Sequence, residues 1–142
     1  MRIALSLAEE AAKEGEVPVG AIIVKDNEIV GKGFNRREKK LDVTSHAEIE
    51  AIKEAATHLG SWRLSGCTLY VTLEPCLMCS GAILQSRLQR VVYGADDPKD
   101  GAIVSRYRVF DEPSLHERPL LERGILEEES KALLSAFFEG KR

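Results

Sequence analysis

The segment Cys67-Thr-Leu-Tyr-Val-Thr-Leu-Glu-Pro-Cys-Leu-Met-Cys79 joins a strand pattern to two closely spaced cysteines. Apolar and polar residues alternate over Cys67–Leu73, which predicts a half-buried strand. Pro75 suits the first turn of a helix, because that turn leaves its N–H groups unpaired and proline has none. We therefore predict a helix that runs to about Arg87. The run Arg90-Val-Val-Tyr-Gly94 predicts a second strand, which completes a βαβ unit.

The flanking segments add helices and a hairpin to this unit. Apolar residues at helical spacing predict three more helices, from Ile3 to about Gly15, over Ala47–Leu59 and over Leu126–Phe138. Two β-branched runs predict one hairpin, formed by Val17–Val24 and Glu28–Phe34 around a turn at Asp26-Asn27. Asp96–Pro119 has no pattern that assigns it. The alternation of strands and helices predicts an α/β fold, with a mixed β-sheet covered by helices in three layers.

Composition limits the classes of protein that the chain can represent. Its 142 residues predict one domain, over residues 1–142, and 44% apolar with 30% charged residues is ordinary for a soluble globular protein. No window is apolar enough to span a bilayer, and Met1–Glu16 lacks the apolar core of a secretory signal. We expect a cytoplasmic protein without a membrane partner. A net charge of −3 gives no overall attraction to nucleic acid.

A second group of polar residues opens the helix predicted over Ala47–Leu59. His46-Ala-Glu48 stands at its start, and Cys76 and Cys79 stand at the start of the helix that follows the Cys67–Leu73 strand. Cys76 and Cys79 are three residues apart, hence on one helix face, where the helix N-terminus favours the thiolate form. Thiolates together with an imidazole select zinc. We predict that His46, Cys76 and Cys79 hold one Zn²⁺ per chain.

The number of protein ligands separates catalytic from structural zinc, because a catalytic site keeps one of four positions open for water. Cys67, His58 and His116 are the candidates for a fourth ligand. His58 lies twelve residues beyond His46 on one predicted helix, roughly 18 Å away. Cys67 lies near the far end of the strand that leads to the site, where a small buried residue is expected. His116 is expected at the surface. Three ligands favour a catalytic site.

Glu48 has two competing interpretations. Coordination to zinc lowers the pKa of water from about 15.7 to about 7, and one carboxylate beside the metal can move the protons that hydrolysis requires. However, Ser45-x-x-Glu48 also matches a capping box, in which Ser45 caps the helix and the glutamate bonds back to its amide. Thr44 is an alternative N-cap. The coincidence of Glu48 with His46 and with Pro-Cys-x-x-Cys favours the catalytic role.

The pattern His-x-Glu followed by Pro-Cys-x-x-Cys is the signature of zinc nucleobase deaminases. Beyond the signature, the chain resembles the bacterial tRNA adenosine deaminases over nearly its whole length. The similar segments are Glu16–Val24, Phe34-Asn35, His46–Ile49, Leu69–Cys76 and Ala132–Phe138. The resemblance implies a cytidine-deaminase-like fold, a homodimer, and hydrolysis of adenosine to inosine at the wobble position of a tRNA anticodon stem-loop.

The same resemblance implies two contacts to RNA, one by Asn35 to the target nucleotide and one by Asp97 nearby. Each residue also has a structural interpretation, Asn35 as an Asx turn after a strand and Asp97 as a cap or turn. Lys99, Arg106, Arg108 and Arg118, with Lys141-Arg142, are candidates for an RNA path. The chain departs from the family pattern at Val43, at Ile103-Val104 and at His116-Glu117-Arg118, which puts RNA contacts in doubt and leaves the zinc chemistry intact.

Three other functions remain open. A deaminase of a free base or nucleoside, such as cytosine, cytidine or guanine, would share the metal site and close its pocket over a small substrate. A binding module with structural zinc would use Glu48 only as a cap. Cys-x-x-Cys by itself also fits a thioredoxin-like redox site. Activity on a stem-loop with a wobble adenosine would distinguish the tRNA deaminase from the first alternative. A Glu48→Gln variant that keeps zinc but loses turnover would exclude the second.

Overall fold

The computed structural model describes residues 1–115 and 117–140. The helices are α1 (Arg2–Lys13), α2 (Arg37–Lys40), α3 (Ala47–Leu59), α4 (Leu77–Ser86) and α5 (Glu127–Glu139). The strands are β1 (Gly20–Lys25), β2 (Glu28–Phe34), β3 (Thr68–Leu73), β4 (Arg90–Ala95) and β5 (Leu120–Arg123). A single 3₁₀ turn over Val109–Asp111 completes the elements of this part of the chain.

The strands form one mixed sheet in the order β2-β1-β3-β4-β5. β1 pairs antiparallel with β2 and with β3, whereas β4 pairs parallel with both β3 and β5. The hairpin between β1 and β2 turns at Asp26 and Asn27, whose φ angles of 50° and 64° match the primed turns that suit twisted strands. β3, α4 and β4 form the predicted βαβ unit, so the predicted α/β class is confirmed.

Helices cover both faces of the sheet. α1 packs on β1 and α5 on β4, and the two helices contact each other. α3 packs on β2 and β1 and contacts α4, and their apolar side chains form the core together with Ala21, Ile23, Leu69 and Val71. Ile22, between two of these core residues, belongs to the opposite face, as the two-residue period of a strand requires. The predicted three layers are therefore confirmed.

The contact between β2 and α3 is close enough to exclude side chains from the strand. A Cβ atom at Gly31 would lie 2.3 Å from the Ala51 carbonyl oxygen, and one at Gly33 would lie 2.3 Å from that of Ala47. α3 presents alanines at these contacts, and Ala47, Ala51 and Ala55 are fully buried. The helix that begins beside His46 is thus packed with its backbone against the sheet.

Several boundaries differ from the sequence expectation. Val17-Pro-Val19 precedes β1, because Pro18 has no N–H to donate to a strand ladder. Pro75 lies before α4, and Cys76 is the N-cap, so the predicted placement of Pro75 in the first turn was wrong. α2 and β5 have no recognisable sequence pattern. No helix of the described residues is both long and apolar enough to cross a membrane.

Candidate active site

The starts of α3 and α4 lie side by side at the carboxyl end of β3. His46 is the N-cap of α3 and Cys76 the N-cap of α4, both in extended conformation, with ψ angles of 157° and 180°. Neither side chain caps its own helix, so both are free to make other contacts. The His46 and Cys76 side chains therefore approach each other from two separate helices, and Cys79 reaches the same point from the first turn of α4.

These three side chains form a cluster with the spacing of a metal site. The Nδ1 atom of His46 lies 3.5 Å from Sγ of Cys79 and 3.7 Å from Sγ of Cys76. Tetrahedral zinc, with Zn–N and Zn–S bonds of about 2.0 and 2.3 Å, separates nitrogen from sulfur by about 3.5 Å. All three ligand atoms lie within 4.8 Å of one another. The donor set and its spacing fit Zn²⁺.

Hydrogen bonds among the three side chains shift their pKa values in different directions. The bond from Cys79, and next the bond to His46, lower the pKa of the Cys76 thiol to about 4, which makes it a thiolate at neutral pH. Donation to Cys76 and burial raise the pKa of Cys79. The hydrogen bond to Cys76 likewise raises the pKa of His46, although burial opposes it. Cys76 therefore offers the thiolate form in which cysteine binds zinc.

The candidates for a fourth ligand lie elsewhere. Cys67 is fully buried at the opposite end of β3, where it packs in the core, as expected. His58 is near the end of α3 and lines a separate cavity with Lys32 and Phe34. His116 lies outside the described residues. Among the residues that the structure describes, only His46, Cys76 and Cys79 form such a cluster, which leaves a tetrahedral ion one open position.

Glu48 lies in the first turn of α3 with its side chain facing the cluster. Only 4% of its surface is exposed, and this burial raises the pKa of the carboxyl group to about 7. The N-cap of α3 is His46 and not Ser45 or Thr44, and no side chain caps the helix, so the alternative interpretation of Glu48 as part of a capping box is wrong. Glu48 therefore occupies the second position of the helix instead of the third. Its carboxyl group is available to exchange protons near neutral pH.

A cavity of about 510 Å³ opens beside the cluster. Its walls contain His46, Glu48 and Cys76 and both residues that the resemblance places near RNA, Asn35 and Asp97. Two larger cavities, of about 600 and 900 Å³, contain none of these residues. The volume beside the cluster is within the range of small-molecule sites and large enough for a nucleoside.

Asn35 and Asp97 both make the turns that the sequence allowed and also line the cavity. The Asn35 side chain accepts the Arg37 N–H at 3.2 Å and donates to the Val17 carbonyl at 3.4 Å. Oδ1 of Asp97 accepts the N–H groups of Lys99 and Asp100 at 3.1 and 3.3 Å. The two interpretations of each residue are therefore compatible, because each turn fixes a polar side chain at the wall of the cavity.

Some cavity residues had no signal in the sequence. Arg37 and Glu74 line the wall, and α5 contributes Leu134 and Phe138 from the distant end of the chain. Of the basic residues proposed for an RNA path, Lys99 borders the cavity and Arg106 donates to its carbonyl at 3.2 Å. The other two that the structure describes are engaged elsewhere, because Arg108 pairs with Asp111 and Arg118 donates to the Phe110 and Glu112 carbonyls. Lys141-Arg142 lies outside the described residues.

Comparison with known proteins finds deaminases that are similar to this chain along its length. A family model described as MafB19-like deaminase matches residues 1–133. The tRNA-specific adenosine deaminase of Aquifex aeolicus is 50% identical over 142 residues, which are 100% of this chain and 93% of that protein. That of Haemophilus influenzae is 48% identical over 143 residues, 100% of this chain and 83% of that protein. The chain belongs to the tRNA-specific adenosine deaminase family.

A solved structure agrees with this membership of the tRNA-specific adenosine deaminases. A protein from a study of A-to-I editing by tRNA:A34 deaminases superposes with a TM-score of 0.91 at 46% identity, covering 94% of this chain and 97% of the other. Two departures from the family pattern, Ile103 and Val104, lie in the loop after β4, where their N–H groups bind Glu74. Any residue except proline supplies such a group, so the departure preserves these two hydrogen bonds, and both side chains pack in or against the core.

Proposed function

We propose that residues 1–142 act as one catalytic domain that converts adenosine to inosine at the wobble position of a tRNA anticodon. The observation that carries the proposal is the convergence of His46, Cys76, Cys79 and Glu48 on one cavity. The full-length relatives that carry the name tRNA-specific adenosine deaminase support the choice of substrate. A tRNA-modifying enzyme is expected in the cytoplasm.

His46, Cys76 and Cys79 would hold zinc through one nitrogen and two sulfur atoms. Zinc held there supplies Lewis acidity, which brings the pKa of water close to neutrality. The thiolate form of Cys76 and the closeness of the three atoms support this assignment. The redox alternative has less support, because both cysteines of the Cys-x-x-Cys motif approach His46 within 3.7 Å.

Glu48 would move the protons of the reaction. Hydrolysis forms a bond between a water oxygen and C6 of adenine and breaks the bond from C6 to the exocyclic amine, which leaves as ammonia. The water proton passes to the Glu48 carboxylate and then to the adjacent ring nitrogen, and a second transfer protonates the departing amine. A carboxyl group with a pKa of about 7 suits both directions of transfer, because neither form is strongly favoured.

Asn35, Asp97 and Lys99 would hold the RNA around the flipped base. The target atom reaches Glu48 only if the base leaves its stack and enters the cavity, which an unpaired loop nucleotide does at low cost. Arg37 and Lys99 stand on opposite segments of the rim, after β2 and after β4, and their charges favour phosphate groups. These two cations lie on a wall that also contains Asp96, Asp97 and Asp100, so they offer individual contacts to phosphate groups.

The chain would function as a homodimer through the outer face of α4. Leu77, Met78, Gly81, Ala82 and Gln85 form this face, which we call the α4 face, and Leu77 is 49% exposed. A Cβ atom added at Gly81 would meet nothing within 4 Å, so the described residues leave the helix open there. Small and apolar residues allow a second backbone to approach closely, as an isologous dimer interface requires.

Incubation with defined substrates tests the proposal. A stem-loop with a wobble adenosine should yield inosine, whereas free cytidine, cytosine and guanine should release no ammonia. A stem-loop with guanosine in place of the adenosine is the matched control. Release of ammonia from a free base, together with unchanged stem-loop RNA, would contradict the proposal and show that the protein is a free-base deaminase. Turnover of neither class would favour a structural zinc module.

A further inference from the structure

Glu74 is a buried carboxylate that the proposed chemistry does not use. It follows the last residue of β3, and 2% of its surface is exposed. Its backbone N–H donates to the Ala95 carbonyl at 2.9 Å, which extends the ladder between β3 and β4 by one residue. Burial of a charge is costly unless hydrogen-bond donors surround it, so the Glu74 carboxylate requires donors that stabilise it.

The donors come from both ends of the segment 97–105, which we call the rim loop. Oε1 of Glu74 accepts the Asp97 N–H at 3.0 Å and the Ser105 hydroxyl. Oε2 accepts three successive N–H groups, of Ile103, Val104 and Ser105, at 2.8 to 3.0 Å. Three successive amides that point at one oxygen form an anion-binding nest. One carboxylate thus ties the beginning of the rim loop to its end.

The rim loop is also shaped around this carboxylate. A Cβ atom at Gly101 would lie 2.3 Å from Cδ of Glu74, so only glycine permits the loop to pass there. Gly101 donates to the Asp97 carbonyl at 2.8 Å and Ala102 to the Pro75 carbonyl at 2.9 Å, which bind the middle of the loop to both sides. The loop follows Glu74 closely instead of extending into solvent.

We propose that Glu74 is a positioning residue, which holds the rim loop so that Asp97 faces the RNA at the mouth of the cavity. The inference rests on the proposed function for the identity of the ligand. The backbone N–H of Asp97 donates to Glu74, and the side chain of Asp97 remains at the cavity wall. Pro98, Lys99 and Asp100 follow it along the same wall.

A Glu74→Gln variant separates positioning from general stability. It places an NH₂ group where one oxygen accepted bonds, so either the nest or the Asp97 N–H loses its partner. We expect backbone amide exchange in the rim loop to accelerate at least about tenfold, and the Kd for a stem-loop that carries inosine at the wobble position to rise about tenfold. The kcat should change less than about threefold, and zinc content should remain one per chain.

Two further variants complete the experiment. Ser105→Ala removes one donor and should weaken binding in the same direction, about threefold, even if Glu74→Gln does not fold. Glu16→Gln is the matched control for exchange, since Glu16 is equally buried and binds the N–H groups of Glu38 and Lys39 in another segment. It should leave exchange in the rim loop unchanged.

The double variant Glu74→Gln/Asp97→Ala tests whether Glu74 acts through Asp97. If it does, the double variant binds RNA no more weakly than the weaker single variant. Additive losses would overturn the proposal, as would unchanged exchange in Glu74→Gln or loss of zinc. If the native protein binds no RNA, the proposed function fails, and the exchange rates still decide whether Glu74 holds the loop.

Discussion

The Nδ1 atom of His46 lies 3.5 Å from Sγ of Cys79, although 33 residues separate them in the chain. We expect that removing the metal with a chelator abolishes deamination, because the side chains alone do not supply the Lewis acidity that activates water. Activity should return when Zn²⁺ is added and should not return with Mg²⁺, which prefers oxygen ligands. Metal analysis beside activity provides the measurement. Full activity without bound metal would contradict the assignment.

Glu48→Gln should retain zinc and bind RNA normally while kcat falls at least about 100-fold. The amide is nearly the same size as the buried carboxyl group but carries no exchangeable acid proton. Single-turnover assays with a stem-loop measure the rate of the reaction, and metal analysis measures the zinc content. Glu50→Gln, two residues beyond Glu48 on α3 and outside the cavity wall, serves as the control. Normal turnover by Glu48→Gln would support the structural zinc module instead.

The three cysteines should differ in reactivity toward a thiol reagent once zinc is removed. Cys76 should react first, because it is partly exposed and its pKa of about 4 keeps it a thiolate. Cys67 should react last, since burial both raises its pKa and blocks access. Mass spectrometry of peptides labelled over time measures the order. Early labelling of Cys67 in folded protein would contradict the packing of β3.

Gly31→Ala should destabilise the fold by about 1–3 kcal/mol, because the new methyl group would overlap the Ala51 backbone. Urea unfolding at a single zinc concentration measures the change. Lys32→Ala, which truncates the exposed neighbour on the same strand, should stay within about 0.5 kcal/mol of the original protein. An equally stable Gly31→Ala protein would show that α3 moves away from β2 at little cost.

Ala82→Glu should convert the proposed dimer into a monomer, because it places a charge in the middle of the α4 face. Sedimentation across a range of concentrations measures the mass. Ala136→Glu, on the exposed side of α5, should leave the mass unchanged. If the Ala82→Glu variant remains a dimer, the interface lies on another surface.

The parts of the fold with periodic patterns were predictable from the sequence. The bounds of α3 agree with the prediction, since apolar spacing continues through the helix and Gly60 ends it in the left-handed conformation. α2 has only four residues, and Glu16, which is distant in sequence, accepts the N–H groups of its second and third residues. β5 is exposed along its length, so no alternation marks it, and it forms by pairing with β4.

The same distinction applies to the site. His46, Cys76 and Cys79 are recognisable because their types and spacing match a ligand set wherever the helices begin. Glu74 is a single carboxylate whose donors follow 23 to 31 residues later, in a segment without periodicity. Its role depends on the path of a loop, and residue type and spacing carry no information about that path.

The contact of Gly31 and Gly33 with α3 separates a tightly packed site from the loops around it. Because the backbones of β2 and α3 are in direct contact, α3 has no other position on the sheet. A change at this contact would therefore disturb His46 and Glu48 together. The residues proposed for RNA recognition lie instead in the loops after β2 and β4, outside that packing. Selection for a new substrate is therefore expected to accumulate changes in these loops while the rate of the chemical step persists.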